Sequence, residues 1–311
     1  MDGDTNMILC CGEALIDMIP DADGAYFPHV GGAVLNTAVA LGRLGVPTGL
    51  ITGLSSDPFG AMIAAHMTAS DVSTAHVVRS ARNTTLAFVH LDQGQATYTF
   101  YDEGTATREI NPDDIDPVPS DIEAIFFGGI SLCNPPVADS LLTLAIAQPE
   151  RRLVMADPNI RPSFVSDHDG YRARLNALIG RADIIKLSDD DLNWIEPGDA
   201  SLADKAQAIL AKGPKMFLLT EGSEGATAYL QGGRHLHVPA AKATVVDTVG
   251  AGDTFNAGCL AALRAADALK PEGLATLPED TLRDMLTLAA RTAAITVSRA
   301  GANPPWANEL D

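Results

Sequence analysis

Basic residues, cysteines and aromatics are all scarce in this chain. Only 21 Lys and Arg stand against 40 Asp and Glu, a formal charge of −19 over 311 residues. So acidic a surface repels phosphate backbones and anionic headgroups, which sets nucleic acid and membrane aside as partners. The four cysteines, Cys10, Cys11, Cys133 and Cys259, form no CxxC pair, and neighbours such as Cys10 and Cys11 cannot close an ordinary bridge. Reduced, mostly buried thiols in a cytoplasmic protein are the expectation. No apolar run approaches the roughly 18 residues that a membrane span requires. Met1-Asp2-Gly3-Asp4 is acidic and runs into a strand-like segment, unlike a secretion signal. A Gly-Lys pair, HExxH and GxSxG are missing as well, so there is no Walker A loop.

What is present is core-forming. The 46% apolar fraction is ample for burial, and the length allows one large α/β domain with an appendage or two modest domains. Short apolar runs recur at Ile8–Cys11, Thr48–Thr52, Ala124–Phe127, Leu153–Ala156, Ile184–Leu187 and Met216–Thr220. They are too short for helices and apolar on both faces, as central strands of a parallel sheet are. Helical spacing lies between them at Ala38–Leu44, Phe59–Met67, Val137–Ala147 and Tyr171–Ile179. This alternation predicts a mostly parallel sheet covered by helices on both faces.

Two segments depart from it. Residues 14–34 hold a strand and a loop rather than a helix. Residues 84–101 alternate apolar and polar around Asp92-Gln93-Gly94, which predicts an antiparallel hairpin. Together they predict a small β-lid, about 14–34 and 84–108, inserted into a single domain spanning 1–311. From about Val249 the chain turns small-residue-rich, and helices are predicted over Thr254–Leu269 and Leu282–Ser298.

The segment Asp247-Thr248-Val249-Gly250-Ala251-Gly252-Asp253-Thr254-Phe255 carries the chemistry. Small residues at a helix start let backbone N–H groups approach an anion, and the helix dipole favours it. Asp253 would repel a bound phosphate unless its task is to take a proton in transit. Phosphoryl transfer needs both parts, an anion hole and a base beside the acceptor hydroxyl. Spacing alone leaves open an Asp N-cap with two turn glycines. A dinucleotide fingerprint fits less well, because Phe255 stands where the third small residue belongs.

The same segment resembles the D-T-x-G-A-G-D signature of the ribokinase-like (PfkB) carbohydrate kinase family. Gly31-Gly32-Ala33 with Asn36, in the run ending Leu41-Gly42-Arg43-Leu44-Gly45, resembles its N-terminal signature. Gly12-Glu13-Ala14-Leu15-Ile16-Asp17 resembles its first strand and the start of its lid, and Thr220-Glu221-Gly222-Ser223-Glu224-Gly225 its T-x-G-x-x-G nucleotide loop. Four motifs in order along one chain make coincidence a poor explanation.

The resemblance implies the ribokinase-like fold and a set of roles. Asp253 would be the base, with the Gly250, Ala251 and Gly252 amides holding the transferring phosphoryl. Asp17, Gly31, Gly32 and Asn36 would meet the sugar; Asn36 could instead cap a helix, and Asp17 could be a solvated lid residue. Lys186 and Thr220 would face ATP, Gly222 and Gly225 would shape its loop, and Ala290 would wall the adenine unless it simply packs. Lys186-Leu187-Ser188-Asp189-Asp190-Asp191 corresponds to the N-x-x-E region that serves Mg²⁺, with Ser188 for Asn and Asp191 for Glu. Asp191 would then reach the metal through water, although Ser188 and three Asp also suit a helix start. Asp247 with the tail Thr296–Pro305 resembles the potassium loop of some members. The family's lid strands often pair across a homodimer.

Asp157-Pro158-Asn159-Ile160-Arg161-Pro162 and the stretch Thr99-Phe100-Tyr101-Asp102-Glu103-Gly104 resemble the fructokinases of that family. Fructose is therefore the expected sugar, with 2-keto-3-deoxygluconate, ribose or a nucleoside as alternatives. A non-catalytic sugar sensor on the same scaffold is the rival of another class. Both sugar-kinase groups commonly carry Arg where Asp102 stands, and Asp102-Glu103 at the pocket mouth would disfavour an anionic substrate. Phe100 and Tyr101 should point to opposite faces of the hairpin, so at most one touches the sugar, and Arg161 could pair with a carboxylate or with phosphate and carbonyl oxygens. His235 and His237 could share a strand face, but no third metal ligand is evident beside them.

Overall fold

Strand β1 (Met7–Cys11) opens the fold; the chain then leaves for β2 (Leu15–Pro20) and β3 (Tyr26–Gly31) and returns through α1 (Ala33–Arg43). Next come β4 (Thr48–Ile51), β5 (Gly53–Ser55), α2 (Pro58–Ala69), β6 (Val72–Ser73), β7 (Val78–Ser80), β8 (Leu86–Asp92) and β9 (Gln95–Tyr101). Alternation follows with β10 (Ile122–Gly128), α3 (Val137–Ile146), β11 (Leu153–Asp157), α4 (His168–Arg181) and β12 (Ile184–Ser188). The remainder is α5 (Asp189–Ile195), α6 (Leu202–Leu210), β13 (Met216–Thr220), β14 (Ala226–Leu230), β15 (His235–Val238), α7 (Ala251–Ala265) and α8 (Glu279–Val297). This computed structural model describes residues 6–92 and 95–310; the Gln93-Gly94 part of the predicted turn and Met1-Asp2-Gly3-Asp4 lie outside them.

A nine-stranded sheet runs β15-β14-β13-β12-β11-β10-β1-β4-β6. Pairing is parallel from β13 to β6 and antiparallel at the β13–β14–β15 edge. The all-apolar strands sort their side chains by period two. Ile8, Cys10, Phe126, Met155 and Leu218 pack in one core with residues of α1, α7 and α8. Met7, Leu9, Phe127, Val154 and Phe217 pack in the other with residues of α3, α4, α5 and α6. All four cysteines are buried and free. No helix among the described residues is long and apolar enough to cross a membrane.

The same period positions chemistry. Asp157 follows Met155 by two on β11, and Lys186 follows Ile184 by two on β12. Both therefore turn to the α7 side. The pair Ala156–Ile185 sits just before them in register, which makes Asp157 and Lys186 neighbours at the carboxyl ends of their strands.

A separate four-stranded sheet, β3-β2-β8-β9, is the lid. Leu15, Asp17, Tyr98 and Phe100 share its inner face. Its outer face carries Phe88 edge-on to both Tyr26 and Tyr101. Helix α7 begins at Ala251, three residues ahead of the expected Thr254, and ends at Ala265. The glycine-rich segment thus forms the first turn of the helix. Gly250 precedes it at φ 79, where a Cβ would also lie 2.7 Å from Ala302 Cβ, so the position requires glycine.

Candidate active site

Between the lid's inner face and the carboxyl ends of β11 and β12 lies a cavity of about 270 Å³. The lid contributes Asp17, Tyr98 and Phe100. Gly32 and Asn36 enter from the start of α1, Arg161 from the loop after β11, and Gly250 to Asp253 from the start of α7. Helix starts and strand ends converge here, the usual position of a ligand site in an open α/β sheet.

Asp253 is buried in the first turn of α7, and its Oδ2 accepts from Asn36 Nδ2 at 2.9 Å. Burial lifts its pKa to about 7; the charges of Asp157 and Glu13 add to the rise, and Asn36 and Lys186 oppose it. Burial, helped by Glu13, raises Asp17 to about 7 too. A carboxyl poised there can take a proton at neutral pH. Of the three small-residue amides at the helix start, Ala251 N–H already donates to Thr248 O at 3.3 Å. Among the described backbone bonds Gly250 and Gly252 N–H have no such acceptor.

Lys186 Nζ is 2.9 Å from Asp157 Oδ2, which also accepts from Asn256 Nδ2 at 2.7 Å. A Cβ on Gly252 would lie 2.9 Å from Lys186 Nζ, so the ammonium sits directly beneath the helix start. Burial works most strongly against its charge, but Asp157, Asp191 and Asp253 together outweigh it and the Lys186 pKa is raised.

The remaining positions divide. A Cβ on Gly31 would lie 2.0 Å from Asp17 Oδ2, so this residue makes room for the carboxylate behind the cavity wall. Ser188 caps α5 by accepting Asp191 N–H at 3.1 Å, and Asp191 Oδ1 accepts Ile160 N–H at 3.1 Å. Those bonds are the helix-start reading of the segment. Thr220 pairs with Ser188 at the ends of β13 and β12, and Gly222 and Gly225 shape the loop that follows. Ala290 is half-buried on α8. Asp247 accepts Val249 N–H at 3.0 Å and Gly301 N–H at 2.9 Å, fastening the loop before α7 to the tail. None of these borders the cavity.

One expectation is corrected. Asp102 does not stand at the mouth of this cavity; it forms an ion pair with Arg108 at 2.5 Å and lines a neighbouring groove. Of the hairpin pair, Phe100 faces inward against Phe164, with centroids 4.7 Å apart, and Tyr101 faces out. His237 contacts Thr227 Oγ1 at 3.0 Å through Nδ1.

Sequence reasoning assigned no role to Glu13, Tyr98, Asp157 or Asn159, all of which border the cavity. Alternation along β9 could have found Tyr98, two before Phe100, and alternation along β11 could have found Asp157. Nothing local marks Glu13, because its partners come from distant segments.

Residues 5–309 match the pfkB family carbohydrate kinase domain. The chain belongs to this family. As a carbohydrate kinase it is a phosphotransferase acting on a sugar hydroxyl, and its relatives agree. It is 44% identical to a fructokinase of Rhizobium leguminosarum bv. trifolii over 283 residues, covering 89% of this chain and 86% of that one. To an Escherichia coli fructokinase it is 31% identical, over 94% of this chain and 93% of the relative. Among solved structures it is similar to the ATP-bound fructokinase of Xylella fastidiosa, with a TM-score of 0.87 and 28% identity over 98% of this chain and 97% of the other. The fructokinase of Vibrio cholerae in its fructose-, ADP- and potassium-bound form gives a TM-score of 0.84 and 25% identity, over 96% and 94%.

Proposed function

We propose that this carbohydrate kinase transfers the γ-phosphoryl of ATP to the 6-hydroxyl of fructose. The observation that carries the reading is Asp253, buried, held by Asn36 and set in the first turn of α7 beside the free Gly250 and Gly252 amides. Asp253 takes the hydroxyl proton as the sugar oxygen attacks phosphorus. The two amides, the α7 dipole and the Lys186 ammonium receive the charge on the transferring group. Asp17 and Asn36 orient sugar hydroxyls, and Tyr98 and Phe100 cover the ring and exclude water. Four carboxyl groups, Glu13, Asp17, Asp157 and Asp253, border the cavity against two cations, Arg161 and Lys186. That balance favours a neutral sugar. Arg161 is the one feature that suits a 2-keto-3-deoxy sugar acid, which stands as the second reading.

Mg²⁺ neutralises phosphate charge in such transfers. Among the described residues no three His, Cys, Asp or Glu make a cation cage, so we read the metal as arriving on the nucleotide. Asp191, with one oxygen committed to Ile160, keeps the other for a metal-bound water. Asp247 is our candidate for a potassium ligand, where a cation would stiffen the turn leading into α7. Tyr26, Phe27 and Tyr101 leave aromatic surface exposed on the lid, which we assign to a homodimer contact. Sedimentation of Tyr101→Asp against the parent tests that assignment, a monomer being the expected result. Four buried free thiols suit the cytoplasm.

The deciding experiment is a coupled ADP-release assay with ATP and Mg²⁺ on fructose, 2-keto-3-deoxygluconate, ribose and adenosine in parallel. Fructose preference supports the reading. Preference for the keto acid keeps the kinase and gives the weight to Arg161, and sugar binding without turnover would replace the kinase by a sensor.

A further inference from the structure

Glu13 lies at the crossing from body to lid, between the end of β1 and the start of β2. The return crossing, from β3 through Gly32 into α1, passes directly over it. A Cβ on Gly32 would stand 3.0 Å from Glu13 O and 3.4 Å from Ala14 Cα. The Glu13 side chain is 2% exposed, yet its carboxyl is fully engaged. Oε1 accepts Ala33 N–H at 3.1 Å; Oε2 accepts Ser131 N–H at 3.2 Å and Ser131 Oγ at 2.9 Å. Its backbone carbonyl accepts Leu35 N–H at 3.2 Å. A Cβ on Gly129 would fall 1.9 Å from Oε1, so the loop after β10 leaves room for this carboxyl group.

These bonds solve a problem that α1 has by itself. Its N-cap is Gly32, which has no side chain to satisfy the first amides of the helix. Glu13 supplies that cap from another segment, through Oε1 on Ala33 and its carbonyl on Leu35. One turn along the same helix, Asn36 donates to Asp253 Oδ2 and Thr37 Oγ1 donates to Asp253 O at 3.2 Å. A continuous hydrogen-bonded route therefore runs from the lid crossings, through the first turn of α1, to the carboxylate assigned as base.

We infer that Glu13 is a positioning residue that clamps the two lid crossings together and fixes the first turn of α1, so that Asn36 keeps Asp253 aimed. The N–H groups of Ala33 and Ser131 both need an acceptor, whereas the Ser131 hydroxyl also has Gly128 O at 3.0 Å, and a carboxylate offers acceptors only. Glutamine has the same shape but must turn an NH₂ toward Ala33 N–H or toward Ser131. One buried donor then faces another, a loss that costs more than a missing bond. The inference rests on the proposed role of Asp253, and its test is arranged to separate the two.

The test compares the parent enzyme with Glu13→Gln, Ser131→Ala, Asn36→Ala and the Glu13→Gln/Asn36→Ala double variant. Thermal melts establish folding, and Ser131→Ala, which removes only one of the three donors, serves if Glu13→Gln does not fold. Amide exchange on the peptide covering residues 32–37 is read without any turnover. The expected result is faster exchange there in Glu13→Gln, with strands β11, β12 and β13 unchanged. In the kinase assay kcat should fall about tenfold or more while KM for ATP stays within about twofold. Asn36→Ala should cost much less in the Glu13→Gln background than in the parent, since both act on the same route. Unchanged exchange at residues 32–37, or penalties that multiply independently, would overturn the inference. A parent enzyme that phosphorylates no sugar would instead overturn the functional reading and leave the exchange result to judge Glu13.

Discussion

Asn36 Nδ2 stands 2.9 Å from Asp253 Oδ2, joining two helices across 217 positions of sequence. The amide engages one carboxylate oxygen and leaves the other toward the cavity, where an acceptor hydroxyl can reach it. Replacing Asp253 by Asn keeps the volume and removes the proton acceptor. We expect kcat to fall by about 10²- to 10⁴-fold, the range that general-base assistance supplies, with a near-normal melting temperature. Turnover within a few fold of the parent would take the base role from Asp253.

Activity and stability should respond to pH in opposite directions. Burial first, then neighbouring carboxylates, raise both Asp253 and Asp17 to about 7, from an ordinary value of 3.8. A base must be ionised to act, so kcat/KM should climb as pH rises through about 7. The folded state, however, holds these two protons more tightly than the unfolded chain does. Their contribution to stability is fully present below about pH 4 and is lost as pH rises through about 7. Asp17→Asn should flatten part of that decline in denaturant melts while keeping the acid limb of the rate profile. A rate profile flat between pH 5 and 9 would contradict the assignment.

The sheet was readable because strands buried on both faces leave an unambiguous mark. Met7–Cys11 has no polar position at all, and only a parallel strand between helix layers tolerates that. The cavity was readable where one segment carries its own chemistry, as Gly250 to Asp253 do. It was opaque where function comes from pairing across the fold. Glu13 reads as one polar residue at the end of a strand, and its meaning lies in Ala33 and Ser131. Ser188 shows the converse, since a residue type common in phosphate contacts and helix caps alike is bonded here as a cap. The start of α7 was placed late because glycines argue against a helix, whereas an N-terminal first turn accepts them.

Lys186 and Asp157 are both buried, and a buried pair broken on one side leaves an uncompensated charge. Asp157→Leu alone should therefore destabilise by about 3–5 kcal/mol. The double replacement Lys186→Met/Asp157→Leu should be markedly more stable than Asp157→Leu, because the ammonium is removed together with its closest partner. Neither should turn over well, since the ammonium beneath Gly252 is gone or misdirected. Denaturant melts with single-turnover assays check both halves, and a double variant no more stable than Asp157→Leu would mean that the pair is not coupled as the geometry requires.

Asp102 bears on sugar choice only if its charge reaches the cavity, and Arg108 holds it elsewhere. The two side chains are 13% and 17% exposed, and Arg108 also donates to Pro135 O at 2.6 Å, which anchors the pair to the loop before α3. Burial raises the Asp102 pKa, and the bond and charge of Arg108 oppose that rise. Asp102→Asn should cost about 1–3 kcal/mol of stability through the weakened charge-assisted bond. The ratio of kcat/KM for fructose to that for 2-keto-3-deoxygluconate should move by less than about threefold. A swing toward the keto acid of about tenfold or more would mean that the freed Arg108 reaches the sugar, and the lid loop would then set selectivity after all.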